Sequence, residues 1–463
     1  MPFSADAQDV RVRLFGGNTG SKVHLSSPDG PLDVTVDGRP LASARRGERV
    51  DVEVGPDGLR IAAEDVRTDG RRVEVTGSGS IRVRSGRYDR RYTGSVHLTR
   101  VGRTIRAVNH VPMEPYVASV VASEYPFSEI EGVKAQAVLA RTYALRHRGD
   151  HDDYDVEDTQ RSQVYKGVET VTAISQEAAE LTRGQVLTYA GQVVEAVYSS
   201  SSGGHTANNE AVWGTSPVPY LRGRPDPYDR DAPDHRWTTS ADASAVHRAL
   251  SRYAGGVTGV RVVERSPSGR AVSVSLSPSG KRISGTQFRS AVNAALGWRT
   301  IRSTHIDISA SGGRYTFRGR GFGHGVGMSQ YGARGHARAG ASYEEILRFY
   351  FQGTDLAFHD GTGLTSAPLA SRPEGLRRKP TRRSVAWGLE PATSESDRVE
   401  PAPPPSATPS ASPEAPRERR IDHRPVWVVR EALPNGDRVR SRPTPRSEAR
   451  AAADSTQRIG WTP

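Results

Sequence analysis

Residues 109–146, NHVPMEPYVASVVASEYPFSEIEGVKAQAVLARTYALR, place an acid where few acids sit. The pattern predicts two helices broken at Pro126, with Glu124 on the last turn of the first. Counting back from Glu124, Val120, Val117 and Met113 fall four, seven and eleven residues earlier, on one stripe of a 3.6-residue helix. The carboxyl therefore extends the apolar face. Burial beside apolar groups disfavours the charged form, so this glutamate is expected to hold a proton near neutrality, as a general acid must. The bland alternative is a Glu that pairs with a nearby Arg or caps the next turn.

Other groups could work with it. Lys134 and Arg141 lie seven residues apart on the second helix and share a face. They could stabilise charge near Glu124 or hold a substrate carboxylate or acetamido oxygen; equally, they could only bridge to Glu114 or Glu131. Gln136 faces another side, where it could bond the backbone of the elbow. Glu114 is a conceivable second acid, but ten residues of straight helix separate it from Glu124 by about 15 Å. The stretch YSSSSGGHT (198–206) offers hydroxyls, Ser200 and Ser201 among them, beside flexible glycines suited to sugar contacts. It is no nucleophile elbow, because no G-x-S-x-G is present. His205 has no obvious partner.

In FRGRGFGHGVGMSQYGARG (317–335), glycines 319, 321, 323, 325 and 327 alternate with larger residues. A period of two predicts a strand with one bare face, which implies close approach of another backbone or a ligand. His324 would then present its ring with little shielding, for sugar binding or proton traffic, or else fix the strand–helix junction. Gln330 and Tyr331 follow. His151, Asp152, Asp153 and Asp155 form an acidic loop that could hold a cation, although a solvated loop is the favoured reading.

These groups must be positioned by a chain of 463 residues, long enough for a full core and for more than one folding unit. Residues 8–107 read as β-rich, with short alternating runs at 10–15, 32–38 and 94–100. The helical pair at 113–147 leads to a polar loop (151–167), a short helix (175–183) and a hairpin entering the Ser/Gly loop (184–204). Beyond it come a helix (240–253), a hairpin turning at Ser268-Gly269 (259–280), a helix (284–296) and an amphipathic helix at 342–351. The fold class expected is α+β: a β-rich N-terminal part, a helical pair and further strand–helix units around one groove. That domain spans 1–360. Pro, Ser, Ala and Arg dominate 361–418, which reads as a disordered tether. Residues 419–463 suggest a small ββα-like segment of unknown role.

Lys and Arg number 64 against 52 Asp and Glu, a net charge of +12, and only five of the 64 are Lys. This suits an anionic partner. Nucleic acid is not expected, because basic and aromatic residues are not interleaved as in known modules. The chain has no Cys, which removes disulfides, thiolate nucleophiles and Cys-based metal sites together. No run of 18 apolar residues marks a membrane span, and no secretory signal is visible at the start of the sequence.

The quoted motifs resemble the core signature of the SpoIID/LytB family, the stage II sporulation protein D type of wall-cleaving enzyme. The family's N-x-V-P opening corresponds to Asn109–Val117, its S-E-hydrophobic-P elbow to Ser123–Pro126, and its K-A-Q-A-x-x-A-R-T-Y helix to Lys134–Tyr143. Tyr92-Thr93-Gly94, the serine stretch at 198–206 and the G-H-G-V-G-M-S-Q run around His324 match further family blocks. The resemblance covers roughly residues 8–356. It implies a lytic transglycosylase cutting peptidoglycan glycan strands between N-acetylmuramic acid and N-acetylglucosamine, with Glu124 as catalytic acid and base and no cofactor. Lys134, Gln136, Arg141, Ser200, Ser201, His324, Gln330 and Tyr331 would contact substrate. Some members hold zinc through a His and two Cys in the loop that here spans 150–163; this chain keeps His151 but has no Cys, so no metal is expected. The resemblance also implies a cell-envelope location and a role in wall remodelling. A wall amidase or a membrane recruitment partner is conceivable, and the LytB side of the family implies a rival reading, a non-catalytic amidase enhancer or wall-binding scaffold.

Overall fold

The structure is a computed structural model that describes residues 9–360 and 363–365. Residues 9–112 form twelve strands, most with the alternating burial of a sheet wet on one face. They assemble into two sheets. One runs, in spatial order, through residues 156–157, 9–13, 104–112, 95–101, 72–77, 32–36 and 39–44; the other through 88–92, 81–85, 22–26, 50–54, 59–63 and 66–70. Their inward Val, Leu and Ile side chains belong to one hydrophobic core, which also takes in the helical pair that follows.

That pair is α1 (Met113–Glu124) and α2 (Ile130–Arg146). The break falls where Pro126 demands it: a residue before proline avoids the helical region, and Tyr125 is extended at φ −127°, ψ 76°. Next come α3 (Ala173–Leu181), the expected hairpin at 185–189 and 192–193, and the short α4 (Asn209–Trp213). The chain then builds a second hydrophobic core from Trp237 to Phe317, enclosed by two three-stranded sheets with α5 (Ala243–Leu250) and α6 (Gly285–Leu296). A capping box between Ser284 and Gln287 starts α6. The 240–253 segment was expected as helix throughout; its start belongs instead to the strand Trp237–Asp242, and Asp242 caps α5 by accepting from Ala245 N–H. Returning, the chain pairs residues 328–329 in parallel with 198–199, forms α7 (Gln330–Arg338) and α8 (Tyr343–Tyr350), and then lays the strand Asp355–His359 antiparallel to residues 185–189. The class is α+β, as expected.

The alternating glycines are a correction. Residues 314–319 are strand, but 320–327 are not: Gly321, Gly323, Gly325 and Gly327 have φ of +74°, +103°, +77° and +69°. Left-handed backbone recurring every second residue makes a chain of turns, which only glycine adopts at low cost. The inferred close approach holds. A Cβ on Gly321 would lie 2.6 Å from the Ser201 carbonyl oxygen, one on Gly325 would collide with the Arg270 guanidinium, and one on Gly327 with the Val197 carbonyl. Apart from the short strand Leu364–Thr365, the expected tether and C-terminal segment lie outside the described residues.

Candidate active site

Glu124 ends α1 inside the protein, with 0 % of its surface exposed. One oxygen, Oε1, accepts a hydrogen bond from the Val164 backbone N–H at 2.7 Å; the other, Oε2, is buried without a partner. Among the described residues no cation pairs with the carboxyl. Burial pushes its pKa up to about 8, against weaker opposing pulls from the Val164 bond and the Lys166 charge. A glutamate so placed is neutral at pH 7 and still close to its titration point.

The loop that pins Oε1 is itself bolted to the signature residues. Tyr165 donates its hydroxyl to Asn109 Oδ1 (2.8 Å), and Asn109 Nδ2 donates to the carbonyls of Thr93 and Ser95, both at 2.9 Å. Ser119 Oγ on α1 holds the Gly167 carbonyl at 2.7 Å. Gln163 stands between two phenols, accepting from Tyr116 (2.8 Å) and donating to Tyr198 (3.1 Å). Asn109 and the Tyr-x-Gly turn thus act on Glu124 through a loop some 55 residues downstream of Asn109.

Around the carboxyl, the first residue of α7 meets α2. Gln330 Nε2 donates to the Glu124 carbonyl (3.0 Å) and to Gln136 Oε1 (3.4 Å). Tyr331 N–H donates to the Ser200 carbonyl at 3.0 Å, and its ring packs edge-on against Phe127. Four buried polar atoms in this neighbourhood have no protein partner: Glu124 Oε2, Gln136 Nε2, Gln330 Oε1 and Ser200 Oγ. Each such atom costs about 1–3 kcal/mol if left dry, so their grouping marks a place completed by water or a ligand.

The remaining expected residues are engaged elsewhere. Arg141 grips Glu114 through Nε (3.0 Å) and Nη2, and its other donors reach the Gln185 and Ala179 carbonyls at 3.0 and 3.1 Å. Lys134 bonds Glu131 at 2.7 Å and lies over the Tyr343 ring. Ser201 Oγ donates to Asp229 Oδ2 at 2.8 Å. His324 is only 5 % exposed, contrary to the unshielded ring expected of a strand. Its Nε2 faces the Tyr198 carbonyl at 2.9 Å and its Nδ1 the Val326 N–H at 3.1 Å, which fixes the tautomer with the proton on Nε2.

The acidic loop is tied up by arginines: Asp155 bonds Arg11 at 2.7 Å, Asp153 bonds Arg106, and the His151 ring stacks on Tyr154. With no thiol in the chain and these carboxylates paired, the donor set does not fit the zinc site of some family members. Among the described residues no group of three or more metal-ligating side chains forms.

Sequence reasoning missed a carboxylate hub beside the serine loop. Asp229 accepts from Ser201, Ser202 and Ser329 hydroxyls and from the Gly203 N–H at 2.6 Å. Asp226, pushed up to about 7 by burial and by the Asp229 charge, accepts from Tyr350 and Ser202. Asp226-Pro227-Tyr228-Asp229, a turn signature, was the available signal.

Comparison with known proteins adds the following. The family described as "Stage II sporulation protein" matches residues 101–189, and a "Domain of unknown function (DUF8618)" matches 226–327. Stage II sporulation protein D of Bacillus subtilis is 33% identical over 273 residues, 55% of this chain and 77% of that protein. An uncharacterized protein of Brachyspira hyodysenteriae is 33% identical over 272 residues, 57% of this chain and 72% of that protein. A protein named "Amidase enhancer", also of Bacillus subtilis, is 31% identical over 288 residues, 51% of this chain and 39% of that protein.

Proposed function

We propose that this chain, which belongs to the stage II sporulation protein D family, is a lytic transglycosylase of peptidoglycan in the cell envelope, acting in wall remodelling linked to sporulation. The observation that carries the reading is a buried, neutral and unpaired carboxyl at Glu124, held by one oxygen and free at the other.

Glu124 protonates the glycosidic oxygen between N-acetylmuramic acid and N-acetylglucosamine as the C1–O bond breaks. The resulting carboxylate takes the proton of the muramic C6 hydroxyl, whose oxygen closes onto C1 as an anhydro bridge. The proton is back on Glu124 and no water is consumed. One carboxyl suffices because the substrate supplies its own nucleophile, unlike the two-carboxylate glycosidases. The Val164 N–H steadies the carboxylate in the intermediate state. In this reading Gln136, Ser200, Gln330 and Tyr331 face the glycan, and their unpartnered atoms bond its hydroxyl and acetamido groups. Ser201 and His324 shape the walls, while Lys134 and Arg141 are held by Glu131 and Glu114 and support the helix from behind. Because Glu124 has no solvent contact, a glycan strand reaches it only after the side chains above it yield.

That same closure favours a second reading, taken from the relative named "Amidase enhancer": a wall-binding protein that cuts nothing itself. Digestion of purified wall glycan, intact and peptide-free, separates the two. We expect anhydromuramyl ends by mass spectrometry and a loss of about 10³-fold or more in Glu124→Gln. Ends produced equally by the variant would remove Glu124 from the chemistry. Stimulation of an added amidase, with no ends formed, would establish the enhancer reading.

A further inference from the structure

Residues 226–327 lie outside the segment 101–189 that the sporulation family model matches, and one of their sheets presents an unusual face. Its three strands are Trp237–Asp242, Arg314–Gly319 and Ile306–Ser311, in register Trp237↔Gly319↔Ile306 and Thr238↔Arg318↔Asp307. With a period of two, Trp237, Tyr315, Phe317 and Ile306 turn into the second core. The opposite face carries Arg318 and Arg320, Thr238 and Arg236, and His305 and Asp307. The ladders run past the strand ends: Arg320 N–H bonds the His305 carbonyl at 2.9 Å, and Gly321 N–H bonds the His235 carbonyl at 3.2 Å, which carries the register on to Arg236 opposite Arg320. Together these residues line a cavity of about 470 Å³.

The ordinary reading is a solvated face. Charge argues against it. Arg236, Arg318 and Arg320 are exposed, and none of their guanidinium groups has a hydrogen-bond or ion-pair partner among the described residues. The one acid on the face, Asp307, is already held by Arg265 at 2.7 Å. Like charges opposed across a ladder destabilise it unless something neutralises them. Behind the face, Arg270 is fully buried with Nε and Nη1 unpartnered, and His305 Nδ1 is likewise buried without a partner. Burial first, then the Arg270, Arg320 and Arg265 charges, push His305 down to about 3, so the imidazole is neutral and adds no compensation of its own. The protein leaves this positive field unanswered.

We propose that this cavity binds the phosphate groups of an anionic polyol-phosphate polymer through Arg236, Arg318 and Arg320. A phosphate offers several oxygens to converging guanidinium forks, and Thr238 and the neutral His305 supply further polar contacts. A nucleic acid would need an aromatic platform for its bases, and the aromatic ring at the cavity, Trp237, is only 5 % exposed. The site is independent of Glu124 and of the glycan reading.

The test uses the full chain and a purified polyol-phosphate polymer of the teichoic acid type, with affinity measured across a salt series. R236Q/R318Q/R320Q is expected to weaken binding at least about tenfold and to lower the slope of log affinity against log salt by about two to three. R39Q/R60Q/R67Q removes the same charge from exposed positions on the N-terminal sheets and is expected to change affinity less than about twofold. Thermal melts of both variants establish that they fold. Equal losses in the two variants would reduce the effect to net charge and overturn the site. So would undiminished binding by the cavity variant, or tighter binding of polyglutamate or single-stranded DNA than of the polyol phosphate.

Discussion

Helix α1 carries two buried glutamates, one at each end, and they have opposite surroundings. Glu114, in the first turn, is gripped by Arg141 through two hydrogen bonds and accepts a third from the Gly184 N–H at 3.3 Å. Glu124, in the last turn, has among the described residues one backbone donor, no cation and an unpartnered oxygen. A buried carboxylate surrounded by donors is a fixed charge that ties elements together; here it joins α1 to α2 and to the segment after α3. A buried carboxyl with a single donor is a proton store that the fold bears as a cost. The proposed function places the chemistry in the second kind, because a carboxyl raised to about 8 has both protonation states within reach near neutral pH.

The contrast breaks most visibly at Arg141. Arg141→Met leaves Glu114 buried and unpaired, and should cost about 3–5 kcal/mol in urea unfolding. Glu114→Gln/Arg141→Met should recover most of that loss, since replacing both partners removes the stranded charge. Any folded double variant should still yield anhydro ends. A double variant no more stable than the single would mean that Arg141 contributes by packing and by its carbonyl contacts rather than through the ion pair.

Glu124 should show the reverse. Its folded-state pKa of about 8 lies above the ordinary 4.5, so burial favours the protonated form. The stability this group contributes is therefore fully present below pH 4.5 and drains away as pH rises towards 8. Between pH 5 and pH 8 the fold should lose on the order of 3 kcal/mol from this residue. Glu124→Gln removes the titration, so the variant should gain in melting temperature over wild type at pH 8 while matching it closely at pH 5. Cleavage, which needs the protonated acid, should fall as pH rises through about 8. Parallel wild-type and variant stability curves across that range would show that Glu124 is solvated in solution.

Much of this was legible in the chain, because it rests on local patterns. The helical break at Pro126, the apolar stripe ending in Glu124 and the hairpin at Ser268-Gly269 follow from backbone sterics and side-chain period. What could not be read was pairing at long range. Nothing near Lys134 or Arg141 says which of two acids each will take, and nothing near Glu124 points to the Val164 N–H, which a loop 40 residues away supplies. The glycine run shows both sides: its close contacts were readable, its backbone was not, since alternation cannot distinguish a bare strand from repeated left-handed turns. Gly325→Ala tests the latter. With φ of +77° and the buried Arg270 guanidinium in the way of a Cβ, it should cost about 2–3 kcal/mol, while Gly313→Ala, at φ +74° in open space, should cost about 1. Equal costs would leave Arg270 free to move aside.

The smallest effect is the most discriminating for the site. Ser200 Oγ is buried and unpartnered, so in the free protein it contributes nothing that a methyl group would not. Ser200→Ala should therefore be neutral or stabilising by up to about 1 kcal/mol. If the hydroxyl bonds the glycan at the transition state, the same variant should lose about tenfold in kcat/KM for anhydro-end formation, near 1.4 kcal/mol. A gain in stability accompanied by a loss in rate is the signature of a group held for a ligand. Ser201→Ala supplies the contrast: its hydroxyl already serves Asp229 at 2.8 Å, so its loss should appear first in stability. If Ser200→Ala retained full rate, the unpartnered atoms around Glu124 would be water sites, and substrate would approach the carboxyl from the Gln136 side.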